Sequence, residues 1–154
     1  MKVGLDFADC YERGLVLRKA GLFKQAIEEF EQAAGGRSYA LKAYAQIGLS
    51  HTSKGRYEEA VTAFRQALTF SPASRKELVQ ILYVLGRTLQ TLGRTAETLE
   101  AYRWIRREDP NYRDVEERIR ELSSKRPPSR RLADEPTWVG GVLRSWQDLL
   151  RISK

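Results

Sequence analysis

The chain has 154 residues, of which 42% are hydrophobic and 31% charged, a balance that suits one globular domain with a sizeable core rather than a disordered segment. A single cysteine, Cys10, excludes an intrachain disulfide, and with only one histidine, His51, there is no Cys/His set for a zinc site. The net charge is +7, a mild preference for acidic partners that by itself implies no dedicated nucleic-acid binding.

In chain order, residues 1–10 carry Asp6 and Asp9 and no apolar stretch of the kind a secretory signal needs. No apolar run approaches the roughly 20 residues of a membrane span. The expected location is therefore cytoplasmic. From about residue 7 to 40 the pattern reads as two amphipathic helices, marked by Gly14, Gly21, Ala26, Phe30 and Ala33. Gly35-Gly36 punctuates the end of the second helix.

The second stretch, about 41–74, is more regular. One helix is expected from about Leu41 to Lys54 and another from about Tyr57 to Phe70. Ala60, Ala63, Phe64, Ala67 and Leu68 fall three and four apart, the helical spacing. Gly55 suits a left-handed C-cap between the two helices. Ser71 and Pro72 punctuate the approach to the next helix.

The third stretch, about 79–112, is preceded by four additional residues near Ala73-Ser74-Arg75-Lys76. These are expected to lengthen its first helix by a turn, with Ser74 and Glu77 as a capping box. Thr98 and Ile105 stand where the earlier stretches have alanines, which predicts wider spacing between this pair of helices. A seventh helix is expected over 111–122, opened by Asp109-Pro110. Its apolar stripe is narrow (Tyr112, Val115, Ile119, Leu122), as a terminal cap requires.

Residues 123–137 are basic and rich in Pro and Ser, the composition of a linker. Within 138–152, Trp138, Val139, Val142, Leu143, Trp146, Leu149 and Leu150 recur at helical spacing. The charge excess is uneven. Residues 41–78 hold six basic against three acidic groups and 123–154 hold seven against three, while the other segments balance.

The landmarks form a period. Gly14, Gly21, Ala26, Phe30 and Ala33 recur in the same order and at the same intervals as Gly48, Gly55, Ala60, Phe64 and Ala67. They recur again, after a step four longer, as Gly86, Gly93, Thr98, Tyr102 and Ile105. Units of this length cannot bury their own apolar faces alone and must stack. Further landmarks are Tyr44, Ile47, His51 and Pro72 in the middle unit and Leu82, Leu85, Leu89 and Pro110 in the third. Together they give a pattern that resembles the tetratricopeptide repeat, a helix–turn–helix unit of about 34 residues. The first unit is the most degenerate, with Cys10, Arg13 and Leu17 at these positions and Ser38 in place of the closing proline.

The resemblance covers about residues 7–122. It implies an all-α, right-handed α-solenoid of three repeats, a C-terminal capping helix and an appended amphipathic tail helix. It also implies a concave groove, lined by the first helix of each unit, that takes a peptide or helix of a protein partner. The exposed groove positions would be Tyr11, Leu15 and Arg18, then Lys42, Ala45, Leu49 and Thr52, then Gln80, Tyr83, Arg87 and Gln90. One subset of the family grips the C-terminal carboxylate of heat-shock chaperones with lysine, asparagine and arginine. Of the matching positions only Arg87 keeps the residue type, so no such clamp is expected.

The tail carries a second set of candidate contacts, Trp138, Leu143, Trp146, Leu149 and Leu150. A lone helix of this length is marginal in water, so docking is expected, either onto the chain's own repeats, onto a second copy in self-association, or onto another partner. A weaker reading has the basic, Trp-bearing tail touching an anionic membrane surface or nucleic acid. The sequence has no glycine-rich phosphate loop and no nucleophile–base arrangement. Glu58-Glu59 and Glu116-Glu117 lie on polar faces without acid–base geometry. The expected function is a non-enzymatic scaffold or adaptor with no cofactor and no metal.

Overall fold

The computed structural model describes residues 6–70 and 74–125, and these are all helix and turn. The seven helices among them are α1 (Phe7–Lys19), α2 (Phe23–Ala33), α3 (Ala40–Ser53), α4 (Tyr57–Ala67), α5 (Arg75–Thr91), α6 (Thr95–Glu108) and α7 (Val115–Lys125). They form the expected all-α helical-repeat class. The chain divides into two compact units, Met1–Pro72 with α1–α4 and Ala73–Lys154 with α5–α7. The expected linker and tail helix, from residue 126 onward, lie outside the described residues, as do Ser71 and Pro72.

Each hairpin is closed by the same local device. In the first, the Leu22 N–H reaches back to the Leu17 carbonyl and Gly21 to Arg18. In the second, Arg56 reaches His51 and Gly55 reaches Thr52; in the third, Arg94 reaches Leu89 and Gly93 reaches Gln90. This nested pair of bonds is the Schellman motif, and it needs a left-handed residue just past the helix end. Gly55 supplies it at φ +73°. A side chain there would cost about 1–2 kcal/mol.

The other repeated glycines act by close approach. A Cβ on Gly14 would lie 2.5 Å from Cε1 of Phe30, one on Gly48 2.5 Å from Cε1 of Phe64, and one on Gly86 2.5 Å from Cε1 of Tyr102. The ring of each second helix thus seats on the bare backbone of the first. Phe30, Phe64 and Tyr102 are fully buried. In the third hairpin the nearest ring atom comes as close as in the others, while the next two stand at 3.0 and 3.2 Å, against 2.7 Å for both in the second hairpin. Thr98 fits because its hydroxyl donates to the Arg94 carbonyl at 2.8 Å, and Ile105 is fully buried.

In the first unit one apolar cluster runs through Cys10, Ala26, Phe30, Ala33, Ala43, Ile47 and Ala63. The Cys10 thiol is buried there and burial pushes its pKa up, so it behaves as a small core hydrophobe. The third hairpin opens as its sequence suggested. Ser74 caps α5 by accepting from the Glu77 N–H at 3.2 Å, and α5 has 17 residues against 14 in α3.

Two boundaries differ from expectation. Helix α4 ends at Ala67 rather than Phe70, with Thr69 donating its hydroxyl to the Gln66 carbonyl. The seventh helix spans Val115–Lys125, not 111–122, so its last turn enters the stretch assigned to the linker. Asp109 does accept from the Asn111 N–H at 3.1 Å, as a capping side chain would. The chain nevertheless turns again, because Arg113 is left-handed at φ +46° and no helix passes through such a residue.

Candidate partner-binding site

The expected contact positions fall on one stripe of each first helix, because residues three, four and seven apart share a helix face. In the first unit that stripe is Tyr11, Leu15 and Arg18 on α1, and Lys42, Ala45, Leu49 and Thr52 on α3, a helix that α1 touches directly. Tyr11, Leu15, Ala45, Leu49 and Thr52 are half-buried, and Lys42 is exposed. Tyr11 and Leu15 pack against the unit's core, and the Tyr11 ring lies 5.7 Å from Phe30 and 5.6 Å from Tyr39. An aromatic is therefore useful at Tyr11 for packing alone, a role the repeat pattern did not reveal.

The polar groups of this stripe are little used. Thr52 donates to the Gly48 carbonyl. Arg18 and Lys42 make no ion pair among the described residues, and the shielded Arg18 Nε has no hydrogen-bond partner. Nearby, Gln46 Oε1 and His51 Nδ1 are likewise shielded and unpartnered. Burial lowers the His51 pKa, which keeps the imidazole neutral near pH 7.

The equivalent stripe of the second unit is in a different state. Tyr83 is only 6% exposed. Its hydroxyl donates to Asp114 Oδ1 at 2.7 Å, and its ring meets Tyr102 at 6.3 Å and Tyr112 edge-on at 5.6 Å. Gln90 Oε1 accepts from the Tyr102 hydroxyl and from Arg118 Nη1, both at 3.1 Å. Arg118 Nε in turn donates to Asp114 Oδ2 at 2.7 Å. The Arg113 guanidinium lies 4.9 Å above the Tyr83 ring, within cation–π range.

Tyr83 is thus buried against the turn before α7, which corrects its placement as an exposed groove position, while Gln90 is half-buried and bonded to Arg118 of α7. Of that stripe, Gln80 and Arg87 remain exposed. Burial opposes the Asp114 carboxylate, but the bonds from Tyr83 and Arg118 outweigh it and leave the pKa below its ordinary value. Burial pushes the Tyr102 phenol up to about 12. The sequence carried one hint of this network, the i,i+4 spacing of Asp114 and Arg118.

The tetratricopeptide repeat family model matches residues 11–75. Over that stretch, which takes in most of the first two hairpins, the chain is built of tetratricopeptide repeats. The third hairpin of this repeat protein lies mostly beyond the matched span, yet shares the glycine turn and the glycine–ring seat of the first two. No curated protein sequence matches the chain. Among solved structures it is similar to MamA, at 16% identity over 96% of this chain and 81% of that one, with a TM-score of 0.67. It is also similar to the Yersinia enterocolitica type III secretion chaperone SycD, solved with a peptide of the translocator YopD, at 14% identity over 80% of this chain and 92% of that one, with a TM-score of 0.60. At these identities the likeness speaks for the fold.

Among the described residues no group of three or more His, Cys, Asp and Glu is placed to hold a metal ion. No helix there is long and apolar enough to cross a membrane. The tail candidates Trp138, Leu143, Trp146, Leu149 and Leu150 lie outside the described residues.

Proposed function

We propose that this repeat protein is a non-enzymatic interaction module that holds a peptide or helix of a protein partner against the α1–α3 stripe of its first unit. One observation supports this most directly. The positions equivalent to Tyr83 and Gln90, which α7 and its turn engage in the second unit, stay partly exposed in the first as Tyr11, Ala45, Arg18 and Thr52, and the same stripe carries half-buried Leu15 and Leu49 and the exposed Lys42. Apolar anchors flanked by a few charges are the ordinary means of peptide recognition by helical surfaces. The YopD peptide bound by the structurally similar SycD supports a ligand of this class.

The test compares wild type with Leu49→Arg, which places a charge at the centre of the stripe. A partner retained by the immobilised wild-type chain and identified by mass spectrometry should be lost from this variant, with its helical circular dichroism unchanged. A partner that binds both equally sinks the proposed site. The tail on which the membrane or nucleic-acid reading rests lies outside the described residues.

A further inference from the structure

We infer that the first-unit stripe selects an acidic, apolar-anchored peptide that presents side-chain carboxylates. This rests on the proposed site and adds the chemistry of its ligand. Helix α3 contains no Asp or Glu at all. The acids of α1, Asp9 and Glu12, fall outside the 11–15–18 row by the helical repeat. The charges left on the stripe are Arg18 and Lys42, and neither has an anionic partner among the described residues.

Arg18 adds geometry to charge. It is half-buried, with Nε shielded from solvent and unbonded, so its planar donor set is already partly stripped of water. A carboxylate accepting two parallel N–H bonds is the partner for which such a guanidinium is built. Lys42, exposed to solvent, supplies attraction without fixed geometry. Between them Leu15, Ala45 and Leu49 offer apolar contact. A ligand matching this surface carries apolar side chains with acids on its flanks.

The chain's own tail is the wrong charge for this surface. Residues 123–154 hold seven basic against three acidic groups, so docking there would bring like charges together. A free terminal carboxylate is not required either, because among the positions that match the clamp only Arg87 keeps the residue type.

The experiment pans a random phage-displayed library of short peptides on the immobilised full chain. The leading sequence is then synthesised with both ends blocked and its binding measured by fluorescence anisotropy. The expected pool is net negative with interspersed apolar residues. Lys42→Glu should weaken the blocked peptide about ten-fold, a charge reversal at an exposed pair, and Arg87→Glu should leave it unchanged. Changing the peptide's acids to amides should weaken it about three-fold or more at low salt.

A neutral or basic pool, no enrichment, or indifference to Lys42→Glu overturns the inference. If such a pool still loses binding in Leu49→Arg, the proposed site stands and only the acidic chemistry falls; if it does not, both fall. A synthetic peptide of residues 136–154 that displaces the acidic peptide makes the tail the occupant and also overturns it.

Discussion

The two tyrosines at the same register position, Tyr11 in the first unit and Tyr83 in the second, show how one repeat pattern yields two surfaces. Tyr11 leans on Phe30 and Tyr39 and stays half-buried. Tyr83 is buried and bonded to Asp114. The difference comes from the segment that succeeds each hairpin. After α2 the chain makes a short glycine turn into α3, whose residues near the stripe are uncharged apart from Lys42. After α6 it passes through a left-handed Arg113 into α7, and this segment brings an acid and an arginine to the stripe. A position that carries a candidate contact in one unit carries a structural clasp in the other.

The largest expected effects test what the units share. Phe64→Ala and Tyr102→Ala each empty a fully buried ring site and should cost about 3–5 kcal/mol in urea unfolding. Tyr102→Phe separates the two units, because it removes only the bond to Gln90 and should cost about 1 kcal/mol. Gly48→Ala pushes a methyl into the Phe64 ring and should cost about 1–3 kcal/mol. If Gly48→Ala leaves stability unchanged, the seat is looser than its geometry implies.

Smaller effects separate the clasp from the open stripe. Asp114→Ala removes the acceptor of both Tyr83 and Arg118. With a side chain 41% exposed, the expected cost is about 1–2 kcal/mol, and amide exchange should quicken in α7 but not in α1–α4. The same clasp should respond to acid. The Asp114 pKa is lowered on folding, so its stabilisation is present above the ordinary value of 3.8 and is lost as pH falls below it. Exchange in α7 should therefore rise below that pH, and Asp114→Ala should abolish the response. The smallest effect is Arg106→Ala, which breaks the exposed pair with Glu116 and should change stability by less than about 0.5 kcal/mol; a larger loss would show α7 held from its α6 side as well.

Much of the architecture was legible because it is local. Gly21, Gly55 and Gly93 stand where the backbone must turn left-handed, and one constant spacing links each of Gly14, Gly48 and Gly86 to the ring that covers it. The extension of α5 and its Ser74 cap were legible for the same reason. The start of α7 was not, since an Asp-Pro opening signals a helix and nothing nearby announces that Arg113 will be left-handed.

The candidate site divides along the same line. Sequence alone determined the all-α repeat class and the register that puts Leu15, Leu49 and Arg87 at one equivalent place and Tyr11 and Tyr83 at another, because helical periodicity is a property of neighbouring residues. Only the tertiary structure decided that Tyr83 and Gln90 are tied to Asp114 and Arg118 while Leu49 stays half-buried and Lys42 exposed. Whether a polar side chain meets water or another side chain depends on segments distant in sequence, and periodicity carries no record of them.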